Sequence, residues 1–335
     1  MAQRAAVVYN PTKVDLTELR NAVARAESEA GWAKSLWIET TEDDPGTGQA
    51  RQAAEKGADV VIAAGGDGTV RAVAEGLRGS GIPLSLLPSG TGNILARNMD
   101  LTLSDLPGSV RTAFTGHDRR IDLGIVEVER VDGTRETRAF VVMAGIGLDA
   151  KMAANTDPEL KKKVGWLAYV RPIVRAMSDR ERVRVRFRVD DGPERTMNVH
   201  TVMVGNCGSL PGNVLLLPEA AIDDGVFDIV ALRPNGFVGW VQIWTRIFWE
   251  NGVLRRSSVG RRLAGLTREV RALRYIKAAR ITARLDRPED FELDGDDFGD
   301  AIAFRAHIEP NALLVRIPAD REIAEPVQDA AGASA

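Results

Sequence analysis

Cysteine is nearly absent from this 335-residue chain. The single Cys207 leaves no partner for an internal disulfide and fits a reducing compartment. Histidine is scarce as well: His117, His200 and His307 are scattered, which argues against a histidine-rich metal centre, and all three read as structural. No run approaches the roughly 20 apolar residues that a membrane span needs. Residues 1–10 run straight into an expected strand without the apolar core and cleavage site of a signal peptide, so the expected location is cytoplasmic. Neither charge dominates, with 44 basic against 47 acidic residues and a net charge of −3, and nothing makes nucleic acid a partner. What remains, 44% hydrophobic and 27% charged, is the composition of a globular protein long enough for two domains.

The chain is organised around residues 58–77, ADVVIAAGGDGTVRAVAEGL. An apolar run at 60–64 is short enough for a buried strand. It empties into Gly65, Gly66, Asp67, Gly68 and Thr69, after which Val70, Val73 and Leu77 repeat on one helical face. Glycines there let the backbone come close to a ligand, and the free N–H groups of a helix start suit phosphate. The bland alternative is a tight strand–helix connection. A carboxylate inside a phosphate cradle would repel its ligand unless it handles a metal ion or a hydroxyl. Asp67 in that position reads as phosphoryl transfer.

Around this centre, strands are expected at 5–9, 35–39 and 83–87, and helices at 15–30 and 49–56, with Gly31 and Gly57 as stops. Alternating strands and helices predict a parallel sheet covered on both faces, with ligands beyond the carboxyl ends of its strands. The segments NPTK, TTEDDPG, GGDGT and PSGTGN would all lie along that edge. From about residue 120 the pattern turns to strands. Residues 121–129 and 140–144 are expected to pair as a hairpin about Asp132-Gly133, 182–189 to form a strand with one wet face, and 197–204 to pair back onto it. A helix is expected at 157–177 and another after Asn235. The closing strand 312–317 is expected to return to the first domain.

These segments together identify a resemblance. NPTK at 10–13, GGDGT at 65–69, PSGTGNILAR at 88–97, IDLG at 121–124, GIGLDA at 145–150, GN at 205–206, PEAAIDDGVFD at 218–228 and ELDGD at 292–296 resemble the bacterial diacylglycerol kinases and related lipid kinases, along nearly the whole chain. The resemblance implies an NAD kinase-like N-terminal α/β domain with a parallel sheet, a C-terminal β-sandwich, and an active site between them. The division drawn is 1–119 plus 310–325, then 120–309, then a loose tail at 326–335. It also implies ATP with magnesium, and a lipid hydroxyl such as that of diacylglycerol as acceptor. Asn10, Pro11, Thr40, Gly65, the stretch from Gly66 to Ala72, Thr91 and Asn93 stand where the family meets the nucleotide. Asp224, with the carbonyls of Ala221 and Val226, stands where relatives hold a structural magnesium ion. Arg97 would tie the domains together or face phosphate, its plain alternative being a helix-surface arginine.

A lipid hydroxyl is a poor nucleophile, so a carboxylate must take its proton as the bond to phosphorus forms. Relatives end a DGE segment on this base. Here the segment is Asp294-Gly295-Asp296, which assigns the role to Asp296, with Asp67 orienting the hydroxyl or a catalytic magnesium ion and Asp294 beside them. Residues 288–300 carry seven acids (Glu289, Asp290, Glu292, Asp294, Asp296, Asp297, Asp300) and no base, so they either bind a cation, share a proton or form a solvated loop. Gly145-x-Gly147-x-x-Ala150 copies a dinucleotide fingerprint, but Thr156-Asp157-Pro158 interrupts the helix it would need. Residues 246–287 carry twelve bases against three acids, which suits transient contact with an anionic membrane surface at its inner face. NAD kinase and phosphofructokinase share the glycine loop. A lipid-binding member without turnover is the non-enzyme alternative. A homodimer is left open.

Overall fold

The computed structural model describes residues 2–89, 93–147, 182–210, 214–234, 243 and 273–320. The helices expected at 157–177 and after Asn235 lie outside these residues, as do Thr91 and the tail. The N-terminal part runs β1 Arg4–Tyr9, α1 Leu16–Ala30, β2 Ala33–Glu39, α2 Thr47–Glu55, β3 Val60–Gly65, α3 Asp67–Leu77, β4 Leu84–Pro88, α4 Ile94–Asn98 and α5 Leu106–Thr115. Its strands stand in the order β2-β1-β3-β4 and all pairs are parallel. Successive residues of each strand face opposite sides. Ala5, Val7, Val60 and Ile62 pack with Leu19 and Val23 of α1 and Phe114 of α5. Ala6, Val8, Val61 and Ala63 pack with Ala53 of α2 and Val73 and Leu77 of α3.

Local chemistry sets the ends. Asp15 caps α1 by accepting from the N–H groups of Thr17 and Glu18, and Gly31 closes it at φ 70°. Helix α5, which the sequence reading passed over, is capped by Asp105 accepting from the Gly108 N–H at 2.9 Å. Helix α3 buries Ala72 and Ala74 as well as the expected Val70, Val73 and Leu77, because small residues let neighbours approach on more than one side.

The second part is antiparallel. Strands β5 His117–Glu129 and β6 Arg135–Phe140 form a hairpin, and β7 Met143–Ile146 follows separately. Then come β8 Val183–Val189, β9 Arg195–Val199, β10 Thr201–Gly205, the short pair β11 Ser209–Leu210 and β12 Val214–Leu215, β13 Phe227–Leu232, β14 Leu273–Ala278, β15 Arg280–Leu293 and β16 Asp296–Ile317. Strand β15 pairs with β8 along its first half and with β7 along its second, so it passes from one layer to the other. Between the layers lie Val126, Phe140, Val185, Phe187, Val204, Phe227, Phe291 and Phe304, the core of a β-sandwich. The last residues of β16 lie beside β4, with Val315 opposite Leu84, and extend the parallel sheet by one strand.

Two expected strands are broken. The one expected at 140–144 stops at Phe140 because the N–H groups of Val141 and Val142 turn away to a carboxylate far along the chain. The one expected at 197–204 breaks at His200. Strand β9 pairs with β8 as expected, whereas β10 pairs with β7 and β13. The alternating burial of β9 gives way there to a fully buried β10.

Candidate active site

Parallel register brings the carboxyl ends of the first strands to one edge: Tyr9 stands beside Glu39 and Ala64, and Gly65 beside Pro88. The described parts of the segments that follow lie along that edge. Asn10 donates its N–H to the Ala64 carbonyl at 2.9 Å, and its side chain accepts from Thr12, fixing the NPTK turn with Pro11 exposed. Thr40 is buried and donates its N–H to the Tyr9 carbonyl. Asp44 accepts from the N–H groups of Gly46 and Gly48 and so opens α2.

Helix α3 starts at Asp67, three residues earlier than the apolar pattern predicts, with Gly66 as its N-cap and no side chain on the cap. A Cβ on Gly66 would meet nothing within 4 Å, so the space above the helix start is free. On Gly65 it would lie 2.7 Å from the Thr69 Cβ, and on Gly68 it would lie 2.7 Å from Asp296 Oδ2. The missing side chain at Gly68 thus leaves room for a carboxylate from β16 to rest against the helix start.

Asp67 faces the same space. Its Oδ1 accepts the Ile94 N–H at 2.6 Å, so the carboxylate tethers the start of α4, next to Asn93, to the start of α3. Burial raises its carboxyl, the N–H groups of Ile94 and Asn93 oppose that, and Asp296 raises it further. Asn98 at the other end of α4 exchanges two hydrogen bonds with Ser209 of β11, at 2.9 and 3.2 Å. The side chain joining α4 to the β-rich half through these bonds is Asn98, one residue beyond the Arg97 singled out in the sequence.

The acidic run is a hairpin. Asp294 and Gly295 carry φ 51° and 90° between the paired Leu293 and Asp296, the two-residue turn for which Asp-Gly is favoured. The seven acids have different surroundings. Glu289 pairs with Arg287 at 2.7 Å, Asp297 accepts the Gly299 N–H, and Glu292 and Asp294 are buried. Asp296 lies against Gly68 at the α3 start, and Asp294 is close enough to feel the Arg71 charge.

Their roles differ. Asp294 is 2% exposed and accepts three backbone N–H groups: Val141 at 2.9 Å, Val142 at 2.8 Å and Met143 at 2.9 Å. Burial lifts its carboxyl to about 6 against the pull of these donors and of Arg71. Asp296 is about half exposed, at 53%, inside a cleft whose walls desolvate it and raise its carboxyl, with Arg71 opposing. Arg71 of α3 lies within the Gly66 to Ala72 stretch expected at the nucleotide, but its pairing with Asp296 was not expected. Its guanidinium lies 3.8 Å from Asp296, only 12% of the side chain is exposed, and its buried Nε has no hydrogen-bond partner among the described residues. Its position two residues after GGDGT was the available signal.

Scattered motifs prove to be one network. The Asn206 side chain donates to the carbonyls of Asp122 at 3.0 Å and Val141 at 3.2 Å. Asp122, fully buried, accepts the Gly225 N–H at 2.7 Å and the Asn311 N–H at 2.8 Å. The IDLG, GN, DDG and DGD segments are therefore joined from the Asp294 hairpin to the turn carrying Ala221, Asp224 and Val226. In that turn Asp224 accepts the Val226 N–H and faces Lys277. Of the basic stretch 246–287, residues 246–272 lie outside the described structure. Lys277, Arg280, Arg284 and Arg287 are each paired with an acid and keep about 40–60% of their side chains exposed. Among the described residues no helix is long and apolar enough to cross a membrane.

Comparison with known proteins agrees with this geometry. Residues 4–126 match the diacylglycerol kinase catalytic domain, and residues 141–317 match the YegS C-terminal NAD kinase beta sandwich-like domain. A Pseudomonas aeruginosa PAO1 protein named "Probable lipid kinase YegS-like" is 33% identical over 309 residues, 90% of each chain. The Bacillus subtilis diacylglycerol kinase is 26% identical over 299 residues, 88% of this chain and 90% of its own. A crystal structure of a diacylglycerol kinase from Bacillus anthracis shares the fold, with a TM-score of 0.67 at 20% identity over 94% of this chain and 97% of its own.

Proposed function

The chain belongs to the bacterial diacylglycerol kinase and YegS-like lipid kinase family, a family of phosphotransferases that use ATP, and from that premise we propose that it transfers the γ-phosphoryl group of ATP to the hydroxyl of diacylglycerol or a related lipid alcohol. The observation that carries this reading is the Asp296 carboxylate resting on Gly68 at the mouth of α3, beside Arg71.

In this reading the free N–H groups at the α3 start hold phosphate oxygens, with Asn10, Pro11, Thr40, Gly65, Gly66, Gly68, Thr69, Thr91 and Asn93 forming the nucleotide's surroundings. Asp296 takes the proton of the lipid hydroxyl as its oxygen bonds to the γ-phosphorus. The bond from that phosphorus to the β–γ bridging oxygen breaks, and ADP leaves. Asp294 does not face the acceptor. It holds Val141 to Met143 and so sets the hairpin that carries Asp296. Asp67 orients the hydroxyl or a magnesium ion. Two neighbouring carboxylates, with Asp67 raised mainly by burial and further by Asp296, suit a hard cation at that point. Magnesium bound there would neutralise charge developing on the phosphoryl group.

Residues 1–119 with 310–325 form the nucleotide domain in this proposal and 120–309 the lipid domain, in a cytoplasmic protein that touches an anionic membrane surface through residues 246–272. The test is incubation of the purified chain with labelled ATP, magnesium and a panel of lipid alcohols. Label in an extracted lipid is the expected result. Label in NAD, or in nothing, would overturn it. Charge reversal at Arg255, Arg256, Arg261 and Arg262 should abolish co-sedimentation with anionic vesicles; unchanged pelleting removes the membrane contact from the proposal.

A further inference from the structure

The turn at residues 219–228 gathers negative charge from several directions, and nearly every charge has a fixed partner. Asp122 is buried beneath it and held by the N–H groups of Gly225 and Asn311. Asp223 pairs with Arg119 at 2.6 Å. Oδ1 of Asp224 accepts the Val226 N–H at 3.2 Å. Three further oxygens lie together: Oδ2 of Asp224, Oδ2 of Asp228 and the carbonyl of Glu219. They converge on the Lys277 ammonium at 3.3, 3.4 and 3.0 Å. Register delivers the lysine, since Lys277 of β14 stands opposite Asp228 of β13.

The family resemblance puts a structural magnesium ion at Asp224 with the carbonyls of Ala221 and Val226, and this arrangement does not fit one. Magnesium takes oxygen ligands at about 2.0–2.1 Å in near-octahedral array. Here the Lys277 ammonium donates to the Glu219 carbonyl and to Asp224 Oδ2 and stands in ion-pair contact with Asp228 Oδ2, which has no hydrogen-bond partner among the described residues. A divalent ion at Asp224 Oδ2 would also meet the lysine's positive charge.

We propose that the Lys277 ammonium is the resident cation of this turn, standing in place of a structural magnesium ion and closing the turn onto β13 and β14. The charge is covalently tethered, so the turn needs no dissolved ion. Through Asp122, Asn206 and Val141 the same turn is joined to the Asp294 hairpin, so its closure supports the position of Asp296.

Thermal melting of the nucleotide-free full chain tests this. The parent protein should melt at the same temperature in EDTA and in millimolar magnesium. Lys277→Met should melt several degrees lower in EDTA, recover in magnesium, and lose that recovery when Asp224→Asn is added. A parental melting temperature that rises with magnesium, with the rise lost in Asp224→Asn, would overturn the proposal. So would a Lys277→Met protein that melts like the parent, or one whose loss magnesium does not restore. Should Lys277→Met fail to fold, the parent and Asp224→Asn decide the question alone.

Discussion

Two Asp-Gly turns, at 294–295 and 224–225, look alike on paper and do different things. Each is joined to the same hydrogen-bond network, and each has φ above zero at its glycine, 90° and 75°. Asp294 is buried, accepts three backbone N–H groups and presents its neighbour Asp296 to the glycine loop. Asp224 keeps part of its surface in water and meets a lysine. The dipeptide supplies the bend. What surrounds the carboxylate decides whether the bend organises chemistry or closes a fold.

The strongest way to break this comparison is Asp296→Asn, which should cut kcat by about 10²- to 10⁴-fold, the range for a lost general base. The melting temperature should stay near the parent's because the side chain is half exposed. Labelled-ATP assays beside thermal melts check it, and an equal loss of stability would assign Asp296 to the scaffold. Asp294→Asn should instead destabilise by about 4 kcal/mol in urea titrations. An amide leaves its own NH₂ and the Val141 N–H facing each other, at roughly 1–3 kcal/mol for each unsatisfied donor.

Titration sharpens the contrast. The Asp294 carboxyl is raised, to about 6 from an ordinary 3.8, so the folded chain holds its proton more tightly than the unfolded chain does. Its contribution to stability is therefore fully present below pH 4 and lost as pH rises to 6, by about 3 kcal/mol. Urea titrations of parent and Asp294→Asn across that window should diverge with this sign. Arg71→Met removes the charge that holds Asp296 down, so the acid limb of the kcat/KM profile should move to higher pH. A profile that keeps its place would separate Arg71 from Asp296. The smallest effect belongs to Asn98→Ala, which removes the two bonds to Ser209 and should cost about 1–2 kcal/mol.

Much of the N-terminal half was legible because its signals are local. Asp15 and Gly31 bound their helix as read, and the buried run before GGDGT is a strand. Helix α5 was missed although Asp105 and Pro107 mark its start. The β-rich half was harder to read. An unbroken apolar stretch conceals the point where β6 ends, since what ends it is Asp294, about 150 residues away. The change from β9 to β10 did leave a trace, alternation giving way to a continuous apolar run at Thr201. The acidic run left several readings open because what separates its members is tertiary: Asp294 is buried on three backbone N–H groups, whereas Asp296 and Asp297 are exposed.

Residue order alone determined the chemistry on offer: a glycine-lined helix start, an aspartate within it, and Asp-Gly bends where a chain can reverse. Which carboxylate stays dry, which rests on Gly68, and which finds Lys277 were decided by tertiary structure. Desolvation and Coulomb attraction act through space, and they couple positions as far apart as Arg71 and Asp296.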